Sequence, residues 1–146
     1  MKRKAEIDTI MVHCTATPPR REVSVSELDA WHKAGNFEPC SNGHYAGYHL
    51  LVHLDGSYER IRPDSERGQH CTQANMNNRA VSVCYVGGVD NNNKPCDTRT
   101  EAQKKTLVTL LRTLRAKYPK ARIVGHRDYA PKACPSFDAK REYKNI

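Results

Sequence analysis

From residue 107 the chain sets Leu107, Leu110, Leu111, Leu114 and Tyr118 at i, i+3, i+4, i+7 and i+11. That spacing is one apolar face of a long helix whose opposite face is basic. Such a helix gains most of its stability by burying the apolar face, so the rest of the chain has to supply a surface for it to cover. Thr98-x-x-Glu101 has the form of a capping box at its start, and Pro119 stops it. Short apolar runs of strand character can build the surface. They are Ile7 to Thr15, around Ile10-Met11-Val12, then Tyr48 to Leu54, Ala80 to Val86 before Gly87-Gly88, and Ala121 to Gly125 after the helix. Asp55-Gly56 reads as a two-residue hairpin turn, with Ser57 to Arg62 as the returning strand. A second capping box, Ser24-x-x-Glu27, opens a helix of about ten residues that ends near Gly35. Residues 36–47, 63–79 and 126–137 read as loops, residues 91–98 as a linker, and a short helix follows from Asp138. Strands mixed with helices, with one hairpin among them, predict an α/β fold: a single domain over residues 1–146 with a central mixed β-sheet flanked by helices.

Charge and cysteine usage narrow the function classes. The chain has 24 Lys and Arg against 16 Asp and Glu, a net charge of +8. That balance suits polyanions: nucleic acid, anionic lipid surfaces, or wall polymers carrying carboxylates and phosphates. Basic residues are scattered, however, and aromatics make up only 7%. No basic and aromatic stripe is present for stacking bases, and nucleic acid is not expected as substrate. No run approaches 18 apolar residues, so membrane insertion is not expected. The charged start Met1-Lys2-Arg3-Lys4 is followed by Glu6 and Asp8 rather than by an apolar segment. The expectation is a monomer made in the cytoplasm without a signal peptide. The six cysteines are Cys14, Cys40, Cys71, Cys84, Cys96 and Cys134, and no C-x-x-C occurs among them. Cys14 and Cys84 lie in apolar runs and read as small buried hydrophobes. The loop positions of Cys40, Cys71 and Cys96 would permit a bridge.

The segment richest in chemistry is Gly125-His126-Arg127-Asp128-Tyr129-Ala130-Pro131-Lys132-Ala133-Cys134-Pro135. A histidine at a strand end is followed eight residues later by a cysteine, across a loop stiffened by two prolines. Imidazole and thiolate are natural ligands for zinc. Two ligands do not make a site, and His13, which closes the first strand, is a candidate third. Taken singly, a strand-end histidine is more often a hydrogen-bonded structural residue and a lone cysteine more often a buried hydrophobe.

Four segments together resemble the type-2 N-acetylmuramoyl-L-alanine amidase family, which includes the peptidoglycan recognition proteins, and are most similar to its small bacteriophage members. They are Ile10-Met11-Val12-His13-Cys14-Thr15-Ala16-Thr17, Gly47-Tyr48-His49-Leu50-Leu51-Val52 leading to Asp55-Gly56, Val81 to Gly88, and Gly125 to Asp138. Trp31-His32 also fits, and the segments run in family order. The resemblance implies a zinc site in a surface cleft, with His13, His126 and Cys134 as ligands and zinc-bound water as nucleophile. It implies hydrolysis of the amide between the lactyl group of N-acetylmuramoyl units and L-alanine, giving cell-wall lysis, with Tyr48 and Lys132 as catalytic groups beside the metal. His70 matches a cleft-lining position and could contact substrate, although a plain loop histidine fits the residue equally. Family members without the cysteine ligand bind peptidoglycan but do not cut it; Cys134 is present here, which implies an enzyme. Some branches carry a glutamate on the strand ending near Gly87, and Val83-Cys84-Tyr85-Val86 has none. Gln73-Ala74-Asn75 stands where phage relatives have Gly-Tyr-Asn. By the same resemblance the chain is a phage or prophage endolysin that acts on the wall after release.

Overall fold

The computed structural model describes residues 1–146. Five strands, β1 (Thr9–Cys14), β2 (Leu50–Val52), β3 (Tyr58–Arg60), β4 (Ala80–Tyr85) and β5 (Arg122–Gly125), form one sheet in the order β3-β2-β4-β1-β5. β1 pairs in parallel with β4 and β5, β2 pairs in parallel with β4, and β3 runs antiparallel to β2. The sheet is therefore mixed and carries its antiparallel strand at an edge. Every residue of β1 and of β4 is buried. Parallel strands covered on both faces read as near-continuous apolar runs, which is why Ile10-Met11-Val12 and Val81 to Val86 were legible as strands.

Side chains alternate along each strand, and the two faces have different neighbours. Ile10, Val12 and Cys14 of β1, with Val81, Val83 and Tyr85 of β4, pack against Leu107, Leu110, Leu111 and Leu114 of α3 (Glu101–Lys117). The opposite face holds Leu51 and Cys84, packed with Leu28 of α1 (Val25–Ala34), and Met11 and Val124, packed with Met76 of α2 (Met76–Arg79). Tyr143, just past α4 (Ala139–Glu142), joins the layer under α3. No helix is long and apolar enough to cross a membrane.

Local signals hold with shifts that have physical causes. The Ser24 hydroxyl caps α1 by accepting from Glu27 N, and Ser24 N donates back to the Glu27 carboxylate. The capping box of α3 lies two residues later than the sequence suggests, at Thr100 and Gln103. The Thr98 hydroxyl is engaged instead in accepting from Gly88 N at 2.8 Å. The hairpin between β2 and β3 is not a two-residue turn. His53 N bonds Ser57 O, Gly56 N bonds His53 O, and Gly56 has φ +86°, the three-residue loop with a left-handed glycine. Residues 63–79, expected as loop throughout, contain α2 and a 3₁₀ turn at Gln73–Asn75. Elements of three and four residues are too short to show a period.

Candidate metal centre

His13, His126 and Cys134 meet at the carboxyl ends of the parallel strands, where open α/β sheets leave a crevice. Their ligand atoms all lie within 4.8 Å of one another. His13 is the fifth residue of β1, on the face away from α3, and is 1% exposed. His126 opens a 3₁₀ turn at the end of β5 and is 7% exposed. The Asp128 carboxylate accepts from Gly125 N at 2.8 Å and fixes that turn. Cys134 arrives from the far end of the proline loop. Arg127 N donates to Cys134 O at 2.7 Å, the Tyr85 hydroxyl donates to Pro135 O at 2.6 Å, and the Ser136 hydroxyl donates to Gly88 O at 2.7 Å. Gly88 has φ +103°, and a Cβ there would lie 2.4 Å from Cys14 Sγ, so this crossing of chains admits only glycine.

The donor set suits zinc chemically. Cys134 Sγ is 3.7 Å from His13 Nδ1 and accepts from Cys14 N at 3.2 Å, a bond that favours a thiolate. The neighbouring Cys14 side chain, and then burial, push the Cys134 thiol well up against the pull of that backbone bond, so it has to surrender a proton when a metal binds. Burial, and then the neighbouring His70 and His126, hold His13 far below the usual imidazole range. Burial and then the Lys132 ammonium bring His126 down to about 4. Both imidazoles are thus neutral, as metal ligation requires. All six cysteines are free thiols, including Cys40, Cys71 and Cys96.

The remaining sequence-derived candidates also converge here. The Tyr48 ring lies 5.1 Å from that of His13. Burial, followed by the nearby Cys84, Cys134 and Cys14, pushes its phenol well above the usual range, leaving it a hydrogen-bond donor. Lys132 is exposed and lines a cleft of about 230 Å³ with His126, His70, Phe37, Gln69 and Gln73. His70 Nδ1 is 2.9 Å from His13 Nε2, and His70 Nε2 is buried without a hydrogen-bond partner. Asn77 of α2 holds this segment by accepting from His70 N and Cys71 N at 2.7 and 2.9 Å.

Sequence reasoning missed the residues that place Tyr48. His32 Nδ1 on α1 accepts from Gly47 N at 2.9 Å, and Asp29 Oδ1 accepts from Tyr45 N and Ala46 N at 2.9 and 2.8 Å. Arg62, 0% exposed, donates to the carbonyls of Glu38, Tyr45, Ala46 and Arg67 at 2.9 to 3.2 Å. These three side chains turn residues 36–47 from an open loop into a fixed wall of the cleft. The pairing of Trp31 with His32 was the only sequence signal for any of them. Trp31 itself is 42% exposed, whereas His32 faces inward.

Comparison with known proteins follows the same outline. Residues 3–137 match the family model for N-acetylmuramoyl-L-alanine amidase. The chain is 41% identical over 140 residues to the endolysin of Escherichia phage T7, covering 96% of this chain and 87% of that one. It is 38% identical over 139 residues to the endolysin of Klebsiella phage KP32, covering 95% and 87%. Among solved structures, the endolysin N-acetylmuramoyl-L-alanine amidase LysCS of Clostridium intestinale aligns with TM-score 0.74 at 24% identity, over 94% of this chain and 80% of that one. A Drosophila peptidoglycan recognition protein, PGRP-SA, aligns with TM-score 0.72 at 14% identity, over 100% and 82%.

Proposed function

Given that this chain belongs to the N-acetylmuramoyl-L-alanine amidase family, we propose that its hydrolytic centre is a zinc site built by His13, His126 and Cys134. The protein hydrolyses the amide bond between N-acetylmuramoyl groups and L-alanine in peptidoglycan and lyses the cell wall. The observation that carries the zinc assignment is the convergence of two neutral imidazoles and one thiol within 4.8 Å, at the rim of a cleft. Zinc in such a site, with three protein ligands, supplies Lewis acidity and brings the pKa of a coordinated water to about 7.

The chain's own groups account for the rest of the reading. Lys132 sets a positive charge beside His126, where it stabilises the negative charge that develops on the amide oxygen. Tyr48, kept protonated by its surroundings, donates a hydrogen bond at the reacting centre. His70 lines the cleft beside His126 and Lys132 and is read as a substrate contact. β4, Ala80–Tyr85, supplies no glutamate to act as a base here. All three donors come from one chain, so the reading needs no second copy and takes the enzyme as a monomer with peptidoglycan as its partner.

The test is a zymogram on purified cell walls with and without a chelator, beside elemental analysis of the protein. Clearing that chelator abolishes and zinc restores, with about one zinc per chain, is the expected result. Full clearing by protein with substoichiometric zinc would overturn the metal assignment.

A further inference from the structure

Five basic side chains gather in a second concavity, at the opposite end of β5 from His126. Arg122 opens β5 and Lys120 lies two residues before it, Lys140 and Lys144 come from α4 and its exit, and Arg115 from the last turn of α3. The cleft has a volume of about 280 Å³, and no acidic side chain lines it. Its floor is apolar, formed by Ala121, Ile123, Val124 and Tyr143. An adjoining hollow shares Arg115 and adds Arg112. Arg115 is engaged by the main-chain oxygens of Pro119 and Ile146. The acids nearby are committed elsewhere: Glu142 to Arg99, Asp138 to Arg127, and Asp8, whose carboxylate feels Arg122, to Arg79.

The local sequence builds this charge. Lys140 lies on α4 and Lys144 two residues past its end, and both line the cleft, while Glu142 turns away toward Arg99. These like charges repel, and no acidic side chain lines the cleft, so a bound anion relieves the cluster. At about 3.3 Å per residue, Arg122 lies roughly 13 Å along the strand from His126, so an occupant here leaves the hydrolytic cleft free.

We propose that this cleft docks the phosphorylated sugars of an anionic cell-envelope glycan. A nucleic acid fits less well: the exposed large apolar side chains, Trp31 and Tyr58, lie on α1 and β3, and Tyr143 is 3% exposed, so no ring is offered for stacking bases. A membrane surface fits less well because Ala121, Ile123, Val124 and Tyr143, most of the apolar lining, are buried and not free to insert. A concave site with cations at the rim suits a compact phosphate-bearing sugar. This rests on the envelope-acting reading above: a second point of attachment raises the enzyme's effective concentration at an insoluble substrate without altering its chemistry.

The test measures binding of a deacylated, phosphorylated core oligosaccharide from bacterial lipopolysaccharide at several salt concentrations, with its phosphatase-treated form as the neutral twin. Lys140→Gln/Lys144→Gln is compared with Lys104→Gln/Lys105→Gln, which removes the same charge from the exposed side of α3. The expected result is tenfold or greater loss of binding in the first variant, with the salt slope lowered by about two. Less than twofold change is expected in the second, and no binding of the neutral twin. Turnover of a soluble muropeptide should be equal in all three proteins. A Lys140→Arg/Lys144→Arg variant should bind as the parent does, which separates charge from folding. Equal loss in both glutamine variants, equal binding of the neutral twin, or tighter binding of duplex DNA or phosphatidylglycerol vesicles than of the glycan would overturn the proposal. Failure of muropeptide turnover in the parent protein would count against the amidase reading and leave the binding result standing.

Discussion

Replacing Lys132 by alanine separates the chemistry at the site from the metal that is proposed to sit in it. The side chain is exposed and is not one of the three donors. Its main-chain N–H, which donates to Ala130 O at 2.8 Å, survives in the variant. Fold and zinc content should therefore be parental at neutral pH. What disappears is an ammonium close enough to lower both His126 and His13. If that charge stabilises the developing oxyanion, its loss costs about 1.4 to 4 kcal/mol, or roughly ten- to a thousandfold in turnover. Affinity for wall fragments should change far less, because an interaction made in the transition state lowers kcat rather than binding. A second signature follows from the same field. Without Lys132, His126 rises from about 4 toward its ordinary value, so the variant should lose zinc at a higher pH than the parent as acid is added. The assay is zinc content beside muropeptide turnover, both followed from pH 8 downward. Near-parental turnover in Lys132→Ala, with zinc retained, would refute the assigned role, and an unchanged acid limit for zinc would refute the electrostatic reasoning behind it.

Tyr48→Phe should likewise keep zinc and lose turnover by roughly ten- to a thousandfold; parental rates would remove the phenol from the mechanism. Cys134→Ser should lose zinc and activity together, whereas Cys84→Ser, buried beside Leu51, should keep zinc and lose about 1 to 3 kcal/mol in urea unfolding for its buried hydroxyl. Zinc retention by Cys134→Ser would contradict the ligand assignment. Arg62→Met should destabilise by several kcal/mol, at about 1 to 3 kcal/mol for each of four orphaned carbonyls, and a loss under about 1 kcal/mol in urea melts would show that water replaces the guanidinium. His49, brought down to about 3 by burial and then by Arg3, gives a pH test. Below the unfolded value near 6.5 the unfolded chain binds the extra proton, so stability falls with pH by about 1.4 kcal/mol per unit until the folded value is reached. His13, His70 and His126 add to the same fall, so His49→Gln should lessen it by about 1.4 kcal/mol per unit, and an unchanged slope in urea midpoints between pH 6.5 and 4 would exclude His49 as a source.

What could be read from the sequence divides along physical lines. The strands β1 and β4 and the leucine face of α3 announce themselves because burial imposes a composition or a period. The three donors were identifiable because their types are chemically narrow and their segments follow a family order, and His13, His126 and Cys134 do meet in space. The capping box was displaced because two threonines compete for one start, and the choice depends on Gly88, ten residues before Thr98 in sequence and adjacent to it in space. Arg62 and Asp29 gave no local signal, and His32 only its place beside Trp31 in the resemblance. Each acts by bonding main-chain groups of a distant loop, and neither a period nor a residue type reveals which backbone atoms will be within reach.

The alternation along β1 has a consequence for how such chains can vary in length. His13 faces the cleft only because an even number of positions separates it from Met11, while Ile10 and Val12 turn the other way into the leucines of α3. Gain or loss of one residue inside Thr9–Cys14 would exchange the two sets, burying an imidazole under the helix and aiming an aliphatic side chain at the cleft. The turn at residues 90–95, exposed save for the half-buried Asp90, carries no such parity. Insertions should accumulate there, whereas β1 should keep its residue count even where its apolar side chains are exchanged for one another.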